Sequence, residues 1–165
     1  MRCCSQCLAS SLTGSVEGWS DSGQGLTTHL PFADSVTALR RNLEANGVAE
    51  RCEVIPGDNR EGSKKLHDIA DRVLLGLLPS SEAAWPLAVA CLKQKGGWLH
   101  VHENVAEAEI VAWSSKVEAD IKALALAIDK SWEVSVRHIE KVKTYAPRVW
   151  HVVADIECRD VADLA

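Results

Sequence analysis

Apolar positions along the chain repeat with two different periods, and the switches between them mark its elements. From Asp34 to Gly47, the residues Val36, Leu39 and Leu43 fall on one helical stripe, with Asp34 or Ser35 placed to cap its start and Gly47 to end it. Cys52-Glu53-Val54-Ile55 reads as a short strand closed by Pro56-Gly57, and Arg72 to Leu78 is an apolar run bounded by charge and by Pro79. Both runs suit strands buried in a parallel sheet. Ser81 opens a capped helix from Glu82 to Lys93, Gly96-Gly97 ends it, and Trp98-Leu99-His100-Val101-His102 follows as a strand. From about Glu107 to Asp129, the residues Ile110, Trp113, Val117, Ile121, Leu124 and Ile128 recur at three-to-four spacing, the clearest helix in the chain. Trp132 to Lys141 and Val149 to Cys158 make two strands joined through Lys143-Thr144-Tyr145-Ala146-Pro147. Strands alternating with helices and ending in two adjacent strands predict an α/β sheet with an antiparallel closing pair. Residues 1–28, rich in Ser, Gly and Thr without a sustained period, read as a poorly ordered lead-in to a domain over 29–165.

Composition narrows the classes. A length of 165 residues suits one domain, and 47% hydrophobic with 25% charged residues excludes collagen-like, coiled-coil and wholly disordered chains. No window approaches the roughly 20 apolar residues that span a bilayer. The start Met1-Arg2-Cys3-Cys4 has no apolar run of secretory length behind it, so the expected compartment is the cytoplasm. Eighteen Lys plus Arg against 23 Asp plus Glu give a net charge of −5, so any contact with RNA must be local. Cys4 and Cys7 form a C-x-x-C without a second pair at metal-finger spacing, and the six cysteines read as free thiols, with no metal expected.

In open α/β sheets, ligands bind outside the carboxyl ends of the strands. After the first clear strand, Asp58 and Asn59 in Gly57-Asp58-Asn59-Arg60 offer a carboxylate and an amide suited to an adenine edge, although the same residues make an ordinary surface turn. Leu75-Gly76-Leu77-Leu78-Pro79-Ser80-Ser81 ends the apolar strand, with Gly76 allowing close backbone approach and Pro79 stiffening the exit. That segment either borders a substrate or is a plain strand leading to a Ser-capped helix. His100 and His102, followed by Glu103 and Asn104, lack a third ligand and are expected to be hydrogen-bonded histidines at a strand end. His151, Asp155 and Glu157 share one face of the last strand, where exposed polar residues on an edge are the simpler account. The sequence holds no G-x-S-x-G, Walker loop or HExxH, the signatures of serine hydrolases, P-loop NTPases and zinc proteases.

Several segments occur together in order: Asn42-Leu43-Glu44-Ala45-Asn46-Gly47-Val48, Gly57-Asp58-Asn59-Arg60, Leu75 to Glu82, Gly96 to Val105, Lys143-Thr144-Tyr145-Ala146-Pro147 and His151 to Cys158. In this set, over about residues 34 to 158, the chain resembles the tRNA wybutosine-synthesizing protein 2 family. The resemblance implies a Rossmann-like methyltransferase-type sheet that uses S-adenosyl-L-methionine as co-substrate. It implies transfer of the 3-amino-3-carboxypropyl group to a carbon of the tricyclic base beside the anticodon of tRNA(Phe). Asp58 and Asn59 would contact the cofactor's adenine, and Leu77, Leu78 and Pro79 would lie near the substrate base. Local cations Arg60, Lys64 and Lys65 would be available to phosphates. The related tRNA guanine methyltransferases carry Asn-x-Pro at this strand end. Leu77 two residues before Pro79 is a departure that favours alkylation of carbon.

A complete family member also has a first strand with a Gly-rich loop for the methionine portion and a second strand ending in an acidic residue for the ribose. Alignment back from Asn42 places Leu30 at the acidic position, and residues 1–28 read as lacking a strand followed by G-x-G. The expectation is a sheet without its first one or two strands, an exposed flank on the central strand, and weak or absent cofactor binding. The alternative to a transferase is a non-catalytic α/β remnant that acts as an interaction module.

Overall fold

A computed structural model describes residues 16–19, 26–30, 33–57 and 66–164. Its seven strands form one sheet in the order β3-β2-β1-β4-β5-β7-β6. They are β1 (Val16–Trp19), β2 (Leu26–Leu30), β3 (Cys52–Pro56), β4 (Arg72–Leu75), β5 (Gly96–Ala106), β6 (Trp132–Ala146) and β7 (Val149–Asp160). The helices are α1 (Ala33–Ala45), α2 (Trp85–Cys91) and α3 (Ile110–Leu126).

Strands β4 and β5 pair in parallel, as do β2 and β3, and β5, β7 and β6 form the antiparallel closing group. On β4 and β5, Val73, Leu75, Leu99 and Val101 are fully buried and join Trp85, Val89, Val117 and Ile121 in the main core. That face is covered because the helical stripes of α2 and α3 present apolar residues to it. A smaller cluster holds α1 through Val36, Leu39 and Leu43 against Val48, Cys52 and Val54. Gly47 ends α1 at φ 65°, a left-handed position that its missing side chain permits, and its N–H donates to the Glu44 carbonyl.

Element bounds differ from the pattern in instructive places. Strand β4 stops at Leu75 and not at Leu78. The predicted helix over Ser81 to Lys93 is a 3-10 turn, Glu82–Ala84, followed by α2. Pro86 fits there because the first turn of a helix needs no donor from it.

Strand β7 is not an edge strand. The β6–β7 hairpin folds back so that β7 lies between β5 and β6, which leaves the outer position to β6. The polar residues of β7 are therefore interior to the sheet, and His151 is only 8% exposed.

Residues 16–30 also depart from the sequence reading, because they contribute β1 and β2. The flank of β4 is consequently paired, through Val16↔Leu75 to Trp19↔Arg72. Strand β1 runs antiparallel to both neighbours, so among the described residues no parallel first strand is present. An antiparallel pair needs only a short connection, whereas a parallel one needs a crossover of a dozen residues or more. Gly23-Gln24-Gly25 does follow a strand, contrary to the sequence reading, but it lies between two antiparallel strands and within 20–25, outside the described residues. Residues 1–15, with Cys3, Cys4 and Cys7, are likewise outside the description.

Candidate functional site

The carboxyl edge of the sheet is formed by the ends of β2, β3, β4 and β5 together with the β6–β7 turn. Beyond Leu75 the chain leaves the sheet as a strap, residues 76–81, that crosses to β5. The Leu78–Pro79 peptide is cis. The Pro79 carbonyl accepts from the Asn104 N–H at 2.9 Å, and Ser80 and Glu103 form an isolated antiparallel bridge. Ser80 Oγ donates to Glu103 Oε2 at 3.0 Å. Ser81, wholly buried, donates to the His102 carbonyl at 3.4 Å and accepts from Trp85 Nε1 at 3.2 Å. Three successive strap residues are thereby fastened to three successive residues of β5. Burial raises the Glu103 carboxyl above its ordinary range, with the Ser80 hydroxyl opposing that shift.

Leu77 and Leu78 are half-buried, and Gly76 and Pro79 are exposed. A side chain added at Gly76 would meet nothing within 4 Å, so packing does not demand glycine there. Among the described residues nothing approaches Gly76, and the space beside it is open. No polar side chain stands at position 77, where an Asn would offer an acceptor.

Alternate residues of β5 place His100, His102 and Asn104 on the face opposite the main core. His100 Nδ1 lies 2.6 Å from Asp155 Oδ1, and His102 Nδ1 lies 3.0 Å from His151 Nε2. Both histidines are hydrogen-bonded, as the sequence reading expects. Burial pushes His102 down to about 4, helped by the neighbouring His151 and His100, and burial followed by the Lys143 charge lowers His151. Among the described residues no group of three or more His, Cys, Asp or Glu is arranged to hold a metal ion.

Asn104 was legible only as a member of a motif, and its geometry is more informative. Both its amide atoms are buried without a hydrogen-bond partner, and so is Nδ1 of His151, its cross-strand neighbour. A buried unpartnered polar group costs about 1–3 kcal/mol, so orphaned atoms on adjacent residues mark a place built for something polar.

Asp58 and Asn59, with Arg60, Lys64 and Lys65, lie outside the described residues. Their strand β3 ends at Pro56 on the carboxyl edge, paired with Leu30, the last residue of β2. Leu30 therefore stands at the strand end to which the alignment assigns it. Strand β1, being antiparallel, begins at this edge with Val16 and ends at the opposite one.

No family model matches the chain. A tRNA wybutosine-synthesizing protein 2/3/4 from Arabidopsis thaliana is 51% identical over 125 residues, which cover 76% of this chain and 12% of the relative. A tRNA wybutosine-synthesizing protein 2 homolog from Danio rerio is 44% identical over 157 residues, covering 76% of this chain and 38% of its own length. The chain thus spans well under half the length of these relatives. Among solved structures, P. horikoshii TYW2 in complex with MeSAdo superposes with a TM-score of 0.67 at 27% identity, covering 79% of this chain and 47% of that one. M. jannaschii TYW2 in complex with AdoMet gives 0.63 at 28%, covering 81% and 57%. The complex of aTrm5 and tRNALeu, at 18% identity and a TM-score of 0.53, shares the fold. Over 76% of its residues the chain is similar to members of the tRNA wybutosine-synthesizing protein 2 family, of whose length it spans part.

Proposed function

We propose that this chain carries the base-side part of a cytoplasmic transferase that moves the 3-amino-3-carboxypropyl group of S-adenosyl-L-methionine to the tricyclic base next to the anticodon of tRNA(Phe). The strap carries this reading: an apolar exit from β4 with open space at Gly76, tied through Pro79, Ser80 and Ser81 to the carboxyl end of β5. S-adenosylmethionine supplies an already activated carbon on a positively charged sulfur, so such a reaction asks the protein for positioning and not for a nucleophile. Leu77, Leu78 and Pro79 suit that task as walls that exclude water beside the reacting base. With Leu at position 77 no side-chain acceptor is present for a ring N–H, which fits alkylation at carbon.

The described residues do not complete a site for the co-substrate. The second strand ends in Leu30 where a carboxylate would hold the ribose hydroxyls, and β1 points its carboxyl end away from the edge where a Gly loop would be needed. Asp58 and Asn59, following β3, are our candidates for the adenine. The reading therefore assigns turnover to this chain together with the family's amino-terminal half, and inactivity to the chain alone. The direction of β1 is also what favours the second reading, a non-catalytic remnant.

Release of methylthioadenosine, measured with tRNA(Phe) bearing the precursor base, separates the two. Added amino-terminal half of the Danio rerio relative is expected to produce release together with an aminocarboxypropylated base. A methylated base would overturn the proposed reaction, and no product with the half supplied would establish the remnant.

A further inference from the structure

The Lys143-Thr144-Tyr145-Ala146-Pro147 segment carries family resemblance but has no role in the site above. It forms the tip of the β6–β7 hairpin, whose turn lies at the carboxyl edge, where Ala106 pairs with Val149 and the Glu107 N–H donates to the Arg148 carbonyl. Lys141, Lys143, Tyr145 and Arg148 are all exposed there, Tyr145 to 63%. Between Glu140 and Asp155 the sequence carries no carboxylate, in a protein whose net charge is −5. Of the tip cations, Lys141 is engaged by Glu107 at 3.0 Å and lies 5.1 Å from the centre of the Trp150 ring. Lys143 and Arg148 form none of the described ion pairs.

Strand register relates this tip to the strap. Pro79 bonds Asn104, Asn104 is paired with His151, and His151 with Lys143, so the four residues form one row across the sheet. At about 4.8 Å per strand, Lys143 lies roughly 14 Å from the strap. Single-stranded RNA loops are read by stacking splayed bases on aromatic rings, while cations hold the backbone. Building on the transferase reading, we propose that the β6–β7 tip is the RNA-docking surface of this chain. Lys143 and Arg148 contact phosphates of nucleotides flanking the target base, and Tyr145 stacks on one of them. The tip thus anchors the loop while the strap receives the base.

Binding of the 165-residue chain to a fluorescent anticodon-arm hairpin of tRNA(Phe), without S-adenosylmethionine and over a range of salt, tests this. The double variant K143E/R148E is expected to bind at least tenfold more weakly. Its log Kd should depend less steeply on log salt, by about 1.4, because two phosphate contacts are lost on a single strand. Tyr145→Ala should lose about tenfold and Tyr145→Phe should keep wild-type affinity, since the ring and not the hydroxyl stacks. The charge-matched control R51E/K122E, with both residues exposed and away from the tip, should bind as wild type. Circular dichroism confirms that each variant is folded, and K143A/R148A replaces the reversal variant if it is not. Equal loss in tip and control variants, unchanged binding in the tip variants, or no binding by the wild-type chain would each overturn the proposal. The assay involves no turnover, so its failure leaves the transferase reading standing, and failure of the product assay leaves the RNA surface standing.

Discussion

Lys130 is among the most deeply buried charges described, and its removal is a sharp test of how the sheet's central strands are held. Its side chain is 3% exposed, and Nζ donates to the carbonyls of Val89 at 3.1 Å, Ala90 at 3.4 Å and Leu92 at 2.5 Å while pairing with Asp68 at 2.8 Å. The ammonium sits at the carboxyl end of α2, where unpaired carbonyls and the helix dipole favour a cation. It also lies 5.0 Å from the centre of the Trp132 ring. One residue thereby joins α2, the segment entering β4 and the start of β6.

The acceptors differ in what Lys130→Met would do to them. Ala90 keeps a second donor, the Asp68 N–H at 3.1 Å, whereas no other donor is described for the carbonyls of Val89 and Leu92. Two orphaned carbonyls at about 1–3 kcal/mol each bracket the loss at roughly 2–6 kcal/mol. Asp68 is half exposed, so solvent screens its share and the lower half of that range applies. Retained methylene packing in Met leaves an expected loss of about 3 kcal/mol, which at this chain length lowers the thermal midpoint by roughly 6–12 °C. Thermal unfolding followed by circular dichroism measures it. A Lys130→Met midpoint within about 2 °C of wild type would refute the view that the ammonium satisfies these carbonyls.

Other perturbations have equally definite signs. His102 is held near 4 when folded against 6.5 as its ordinary value, so the unfolded chain binds the extra proton; stability is complete above pH 6.5 and is lost as pH falls toward 4. The loss is about 2 kcal/mol after discounting for partial exposure, and His102→Gln should flatten that part of the denaturation profile. Gly96→Ala, at φ 92° with the new methyl driven into the Cys158 carbonyl, should cost roughly 3 kcal/mol or more in a urea titration. Asn104→Leu removes two orphaned buried polar atoms and should leave the urea midpoint unchanged or raised. If Asn104 serves the substrate, the same variant should abolish methylthioadenosine release in the complemented enzyme, and full activity there would deny it that role.

The helices and the closing strands were legible because their apolar spacing is set by the one face each element buries: α3 shows it at Val117 and Ile121, and β7 at Val152, Ala154 and Ile156. The strap was legible as a composition but not as a geometry, since nothing in Leu77-Leu78-Pro79 alone says that Ser80 and Ser81 will bond to β5. The position of β7 inside the sheet was not legible either. A hairpin read from sequence fixes which two strands pair but not which of them meets the rest of the sheet. Strands β1 and β2 were missed for a different reason. Segments of four and five residues are too short for a period to emerge, and pairing with β4 and β3 is what makes them strands.

The direction of β1 bears on whether a point mutation can confer S-adenosylmethionine binding on this chain. Leu30→Asp would return a carboxylate to the end of β2, the position that the alignment assigns to ribose recognition. The hydroxyls so recovered are one part of the ligand. The family resemblance implies that the methionine portion is held by a loop following a strand that ends at the same edge, and Trp19, the end of β1, pairs with Arg72 at the opposite edge. Calorimetry with S-adenosylmethionine should accordingly find no binding by Leu30→Asp in the chain alone. A saturable isotherm from that single substitution would show that the ribose carboxylate was the only missing element and that the reversed strand is no obstacle.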